Sequence, residues 1–148
     1  MDSVLSPLDL TAREAPDGPV AIARPHRVHA AATWFRKNFP GEVFYAVKAN
    51  PSEWVLDALW SAGIRGFDVA SDTEAALIAR KFPEAQIAFM HPVKSRRAIA
   101  RAFHDYGVKT FALDSEDELE KILAETNGAK DLTLVVRFAV SGDGAAYP

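Results

Sequence analysis

The amino-acid sequence predicts a parallel α/β sheet, and three observations carry that prediction. Short runs that are apolar throughout, such as Val43 to Val47, exchange regularly with stretches of helical periodicity. Helix-start signals follow the runs: Ser71-Asp72-Thr73-Glu74 and Ser115-Glu116-Asp117-Glu118 both have the form of a capping box. Polar residues close the runs at even spacing, since Lys48, Asp68, His91, Asp114 and Arg137 are separated by 20, 23, 23 and 23 positions. In a parallel sheet every strand points the same way, so these five side chains are expected on one rim, the C-terminal face where α/β proteins place their chemistry.

Taken in order, residues 1–18 mix Ser, Pro, Asp and Thr with isolated apolar residues and read as an irregular lead-in. A short strand is predicted at Val20 to Ala23, then a helix from Arg27 to Asn38 with Val28, Ala31, Ala32 and Phe35 on one face, stopped by Pro40-Gly41. Glu42 to Val47 is a strand ending at Lys48. Asn50-Pro51 offers a cap and a first-position proline for the next helix, whose buried face is Val55, Leu56, Leu59 and Trp60. Strands follow at Gly66 to Val69, Gln86 to Met90, Lys109 to Leu113 and Leu132 to Val140. Between them lie helices opened by Ser71, Ser95 and Ser115, and no helix is visible after the last strand.

Composition narrows the class. The chain has 148 residues, 49% hydrophobic and 25% charged, which suits one soluble globular domain and excludes collagen, disorder and a membrane-spanning protein. Its 17 basic and 20 acidic residues leave a formal charge of −3, so no general attraction for nucleic acid or anionic membrane is expected. Without cysteine there is no disulfide, no thiolate metal site and no thiol nucleophile. The acidic N-terminus lacks a signal-peptide pattern, and the expected compartment is the cytoplasm.

Two architectures accept the repeating unit. A closed (β/α)8 barrel needs about 250 residues, so this chain would be its first part. A doubly wound five-stranded sheet fits the length as it stands.

The sharpest chemical feature is Phe44-Tyr45-Ala46-Val47-Lys48-Ala49-Asn50-Pro51, an apolar strand that delivers one lysine at its exit. An ammonium among apolar neighbours loses solvation, which favours the free amine as a nucleophile toward carbonyls. The competing account is a lysine that snorkels to the rim. Asp68 is either a partner for that amine or a helix-entry residue, and Glu74 is explained by capping. Arg137 either stabilises an anion or forms a rim salt bridge with Asp114 or Asp68. His91, beside Pro92, either touches a ligand or hydrogen-bonds its own loop. Lys94, Arg96, Arg97 and Arg101 read as a solvated basic helix face. Gly142-Asp143-Gly144 reads as a turn, because Tyr147 replaces the third glycine of a nucleotide loop. His26 and His29 lack a further ligand at metal spacing, so no metal is expected. A receiver-like signalling module would need an acidic pair after its first strand, where Ala21-Ile22-Ala23-Arg24 stands instead.

Phe44 to Pro51, Gly66-Phe67-Asp68-Val69-Ala70-Ser71 with Thr73-Glu74, Met90-His91-Pro92-Val93-Lys94, Thr110 to Glu116 and Leu134-Val135-Val136-Arg137 together resemble the pyridoxal-phosphate enzymes that include ornithine and diaminopimelate decarboxylases. The resemblance runs in register from about Pro19 to Pro148. It implies the first part of an alanine-racemase-type (β/α)8 barrel over residues 19–148. It further implies pyridoxal 5'-phosphate held covalently by Lys48, Asp68 beside the cofactor, Arg137 and His91 as further cofactor contacts, and a homodimer that decarboxylates a basic amino acid. The Phe89 to Ser95 and Ser141 to Pro148 segments look more like bacterial ornithine decarboxylases, which implies putrescine synthesis; a diaminopimelate decarboxylase or a non-catalytic cofactor-binding barrel are the alternatives. Several parts of the family are not found in this sequence: the glycine-rich phosphate loop, the acid facing the pyridine nitrogen, the stacking histidine and the C-terminal β domain. This stretch alone is therefore expected to be inactive.

Overall fold

A computed structural model describes residues 6–140 of the chain. Its elements are α1 (Pro7–Glu14), α2 (Pro25–Asn38), β1 (Phe44–Ala46), α3 (Glu53–Ser61), β2 (Gly66–Val69), α4 (Asp72–Lys81), β3 (Gln86–Phe89), α5 (Arg96–His104), β4 (Thr110–Leu113), α6 (Glu116–Glu125) and β5 (Thr133–Val136). All five strands are parallel, in the order β1-β2-β3-β4-β5. This order overturns the doubly wound alternative, which requires a point where strand order reverses. Each strand adding beside the last is the winding of a barrel.

The two faces of the sheet differ. Phe67, Val69, Ile87, Phe89, Phe111 and Leu113 point toward the helices and are buried, joined by Val55, Leu56, Ile78, Ile99 and Ile122 from the helix faces. Trp60, Phe67 and Phe82 stack in series, with Trp60 and Phe82 centroids 4.3 Å apart, and lock α3 and the end of α4 onto β2. The opposite, concave face carries Phe44, Asp68, Ala88, Met90, Thr110 and Val135 around a shallow cavity of about 280 Å³. Burial on both faces, expected from the uniformly apolar runs, is met throughout the helix side but on the opposite face only in part, at Ala88 and Ala112, while Phe44 is exposed. On β5 even the helix-side residues Leu134 and Val136 are exposed, because no helix follows among the described residues.

Local chemistry explains where the elements depart from expectation. The lead-in holds α1, an exposed helix fixed by a reciprocal capping box: Ser6 Oγ accepts from Asp9 N and Asp9 Oδ2 accepts from Ser6 N. Val20 to Ala23 forms no strand and is exposed, since no neighbouring strand pairs with it. Helix α3 starts at Glu53 rather than Pro51, because Asn50 Oδ1 accepts from Ser52 N in a tight turn and leaves Ser52 as the cap. The last strand ends at Val136, short of Val140. Segment 141–148, with the expected Gly142-Asp143-Gly144 turn, lies outside the described residues.

Candidate active site at the sheet's C-terminal mouth

Lys48 stands on a single 3₁₀ turn, Val47–Ala49, rather than on the strand itself. Val47 is fully buried and anchors the turn, while Tyr45 Oη donates to Asn50 O at 3.2 Å and closes it from the other side. Burial pushes the Tyr45 phenol above its ordinary value, opposed by that bond, so the hydroxyl stays a donor. Lys48 itself is exposed, and among the described residues no hydrogen bond or ion pair occupies its Nζ.

Asp68 lies within β2, one pleat short of the strand's exit, and not at the end as the spacing suggested. Register joins Ala46, Asp68, Ala88, Thr110 and Thr133 in one row across the sheet. Lys48 is two residues past that row, on the turn that follows the adjacent strand, close enough for its charge to act on Asp68. Burial pushes the Asp68 carboxyl above its ordinary value; the Lys48 charge pulls it back and the Glu74 charge adds to the rise. Asp68 is therefore a carboxylate short of solvent, and a neighbouring cation relieves it. Gly66 makes this approach possible. Phe44 is its register partner, and a Cβ on Gly66 would lie 2.8 Å from the Phe44 ring and 2.9 Å from Val43 O.

Glu74 reaches Ala70 N at 2.7 Å, while Ser71 Oγ accepts from Glu74 N at 3.2 Å. Its capping bond falls one residue earlier than the expected box and places its carboxylate beside Asp68.

The other three rim positions rise higher and farther along the sheet. His91 follows β3, and its Nδ1 accepts from Val93 N at 3.2 Å. Arg137 directly follows β5; its backbone N–H donates to Leu113 O at 2.8 Å and its side chain is exposed. Neither Asp114 nor Asp68 pairs with it among the described residues, so the rim salt bridge is absent there. Arg137 alternates with Thr133 and Val135 toward the concave side, yet three strand spacings of about 4.8 Å separate its strand from that of Asp68. The structure brings Lys48, Asp68 and Glu74 together and leaves His91 and Arg137 outside contact with them.

Sequence reasoning misplaced Lys94. It is not on a solvated face but sealed at the base of the β3–α5 loop, with its side chain 0% exposed and Nζ 2.9 Å from Glu118 Oε1. Arg96 and Arg97 do remain exposed on α5, Arg96 reaching Glu125 across the surface, and the partly exposed Arg101 pairs with Asp72. Glu118 holds Ser115's cap from its N–H but sends its carboxylate to Lys94 and Lys121 instead of back to Ser115.

A larger groove of about 530 Å³ between α2, β1 and α3 is lined by Val28, Phe35, Tyr45 and Trp54 with no charged side chain, so the reactive groups lie elsewhere. An exposed, unpaired amine at the mouth of a parallel sheet, with a desolvated carboxyl on the next strand, fits a carrier of an aldehyde cofactor. Sheet order and site together define the opening strands of a barrel that holds such a group.

Residues 26–147 match the family described as pyridoxal-dependent decarboxylase, pyridoxal binding domain. The chain belongs to this family. It is 33% identical over 129 residues to a lysine/ornithine decarboxylase of Selenomonas ruminantium, covering 86% of this chain and 32% of that protein. An ornithine decarboxylase of Panagrellus redivivus is 32% identical over 126 residues, covering 84% and 28%. The solved structure of SrLDC in complex with PLP and cadaverine superposes with a TM-score of 0.76 at 29% identity, covering 97% of this chain and 37% of that one. The chain thus spans about a third of the length of these relatives. Among the described residues, no helix is long and apolar enough to cross a membrane.

Proposed function

We propose that this chain supplies the cofactor-bearing strands of a decarboxylase for a basic amino acid, with L-ornithine as substrate and putrescine as product. Residues 19–148 are read as the N-terminal part of the barrel domain, working in a polypeptide of the relatives' length as a cytoplasmic homodimer. One observation carries the reading: the unpaired Lys48 amine within charge range of the half-buried Asp68 carboxyl, in a chain of the pyridoxal-binding family. Pyridoxal 5'-phosphate, when bound, supplies the electron sink for the pair left behind as carbon dioxide departs.

The chain's own residues do the rest of the work assigned to this portion. Lys48 Nζ would hold the cofactor by its aldehyde carbon. Whenever that amine is free and protonated, Asp68 would hold it, since the carboxyl's lack of solvent makes the pairing favourable. The Tyr45–Asn50 bond fixes the turn that carries Lys48. Arg137 brings positive charge toward the concave side, and His91 edges the rim; both are read as cofactor contacts. The two relatives, a lysine/ornithine decarboxylase and an ornithine decarboxylase, support ornithine over diaminopimelate.

Carbon dioxide release from ornithine, lysine and diaminopimelate tests this reading. The full-length protein is expected to favour ornithine, and the isolated 148-residue stretch to show no substantial turnover. A preference for diaminopimelate would reassign the substrate. Ordinary enzymic rates from the isolated stretch would contradict the account of what the rest of the relatives' length contributes.

A further inference from the structure

We propose that the buried Lys94–Glu118 pair is a positioning device that fixes the β3–α5 loop and the end of β4, and through them the rim positions His91 and Asp114. The inference rests on the reading of the mouth as the cofactor site.

Four acceptors converge on Lys94 Nζ: His91 O at 2.9 Å, Pro92 O at 3.3 Å, Ala112 O at 2.5 Å and Glu118 Oε1 at 2.9 Å. An ammonium has three N–H groups, so all are engaged and none is left for water. The Lys94 backbone N–H donates to Glu118 Oε1 at 3.2 Å, and Glu118 Oε2 is taken by Lys121 at 2.5 Å. Burial pulls the Lys94 ammonium below its ordinary value, opposed by Glu118. Burial alone would raise the Glu118 carboxyl, but the hydrogen bonds from Lys121 and Lys94 hold it below its ordinary value.

Such a pair is a poor way to gain stability, since two well-packed apolar side chains in its place are commonly as stable or more so. What apolar residues cannot do is bind carbonyls. Lys94 draws in the carbonyls of His91 and Pro92 from one loop and that of Ala112 from the neighbouring strand, so two segments that share no ladder bond at this point are tied to one nitrogen. Glu118 occupies the third helical position of α6, where a carboxylate ordinarily turns back to the cap residue. It reaches instead to a loop 24 residues away in sequence. The next residue, Ser95, caps α5 by accepting from Ala98 N at 3.2 Å, and Val93 N donates to the His91 ring. With its carbonyls turned inward, the loop holds the exposed His91 ring outward at the mouth.

The test uses the full chain and two observables. Amide hydrogen exchange in the parent is expected to show the Lys94 amide at least tenfold more protected than amides of the exposed 18–24 linker; equal exchange would overturn the proposal without any variant. The double variant K94M/E118L removes both charges together. It is expected to keep the parent's thermal midpoint within a few degrees, to lose the Lys94 protection, and to bind pyridoxal phosphate at least tenfold more weakly, with Lys48 still the residue trapped by borohydride. A purely structural pair would give a stable double variant whose affinity equals the parent's, which overturns the proposal. E118Q, nearly isosteric, is expected to shift affinity in the same direction by a smaller factor, and an unchanged value would count against it too. If Lys48 is not trapped in the parent, the cofactor reading fails instead, while the exchange data still decide whether the pair holds the loop.

Discussion

Two lysines stand at the same mouth of the same sheet and live in opposite surroundings. Lys48, on the turn after β1, is exposed and unpaired, with a carboxyl on the next strand that burial has pushed up. Lys94, on the loop after β3, is sealed from solvent and bonded to three carbonyls and a carboxylate. Attack on a carbonyl carbon needs a lone pair, which an ammonium gains only by giving up a proton; the bonds around Lys94 hold every N–H in place, whereas Lys48 faces solvent with none of them engaged. The contrast shows that reactivity here is set by what the surrounding backbone leaves unsatisfied, not by residue type or nearness to a strand end.

The largest expected effect breaks the reactive side. Lys48→Arg keeps the charge but cannot capture an aldehyde, so turnover by the full-length protein should fall by about 10³-fold or more. Assay of carbon dioxide release alongside the cofactor's absorbance checks this, and undiminished activity would remove Lys48 from its role. The scaffold side comes next. Lys94→Met alone leaves Glu118 buried with one counterion fewer and should cost about 3–5 kcal/mol in a denaturant titration. A loss under about 1 kcal/mol would mean that the carboxylate finds solvent or a new partner easily.

Gly66→Ala sharpens the comparison between the adjoining strands. The added methyl meets the Phe44 ring and the Val43 carbonyl, and the expected destabilisation is about 1–3 kcal/mol. Weaker cofactor binding should accompany it, because β1 must move and Lys48 moves with it. A well-folded variant of unchanged affinity would show that the Lys48–Asp68 spacing is not critical.

The smallest effects separate the two carboxyls by pH. Glu118 is held below its ordinary value, so its contribution to stability is present above the ordinary carboxyl range and is lost as pH falls through its folded value. Asp68 is raised, so its contribution has the opposite sign: the folded state binds the proton more tightly, and stability is lost as pH rises from the ordinary carboxyl range through its folded value. Asp68→Asn should therefore remove a descending slope from the stability profile of the cofactor-free chain and leave it slightly more stable at neutral pH. Glu118→Gln should remove an ascending one. Identical profiles for the two variants would contradict the assignment.

The strands and the Ser71, Ser95 and Ser115 caps were legible in the sequence because each is a local signal: an apolar run, or a hydroxyl placed three residues ahead of the N–H it accepts. Helix α1 was missed because its one strong signal, Ser6 with Asp9, sits in a polar segment with no buried residue to mark a face. Val20 to Ala23 looked like a strand because apolar composition reports burial only when a partner exists. Lys48 and Asp68 stand out in the sequence as polar residues beside apolar runs, and the structure sets Lys48 on an exposed turn and Asp68 within β2. Lys94 was not readable, because its partner Glu118 is distant in sequence and each residue belongs to a pattern, a basic run or a capping box, that explains it well alone.

Borohydride reduction of the full-length protein mixed with pyridoxal phosphate, followed by peptide mapping, puts the contrast between the two lysines to the most direct test. The account predicts a stable adduct on the peptide containing Lys48 and none on the peptide containing Lys94. Label on Lys94, or saturating label that spares Lys48, would contradict it.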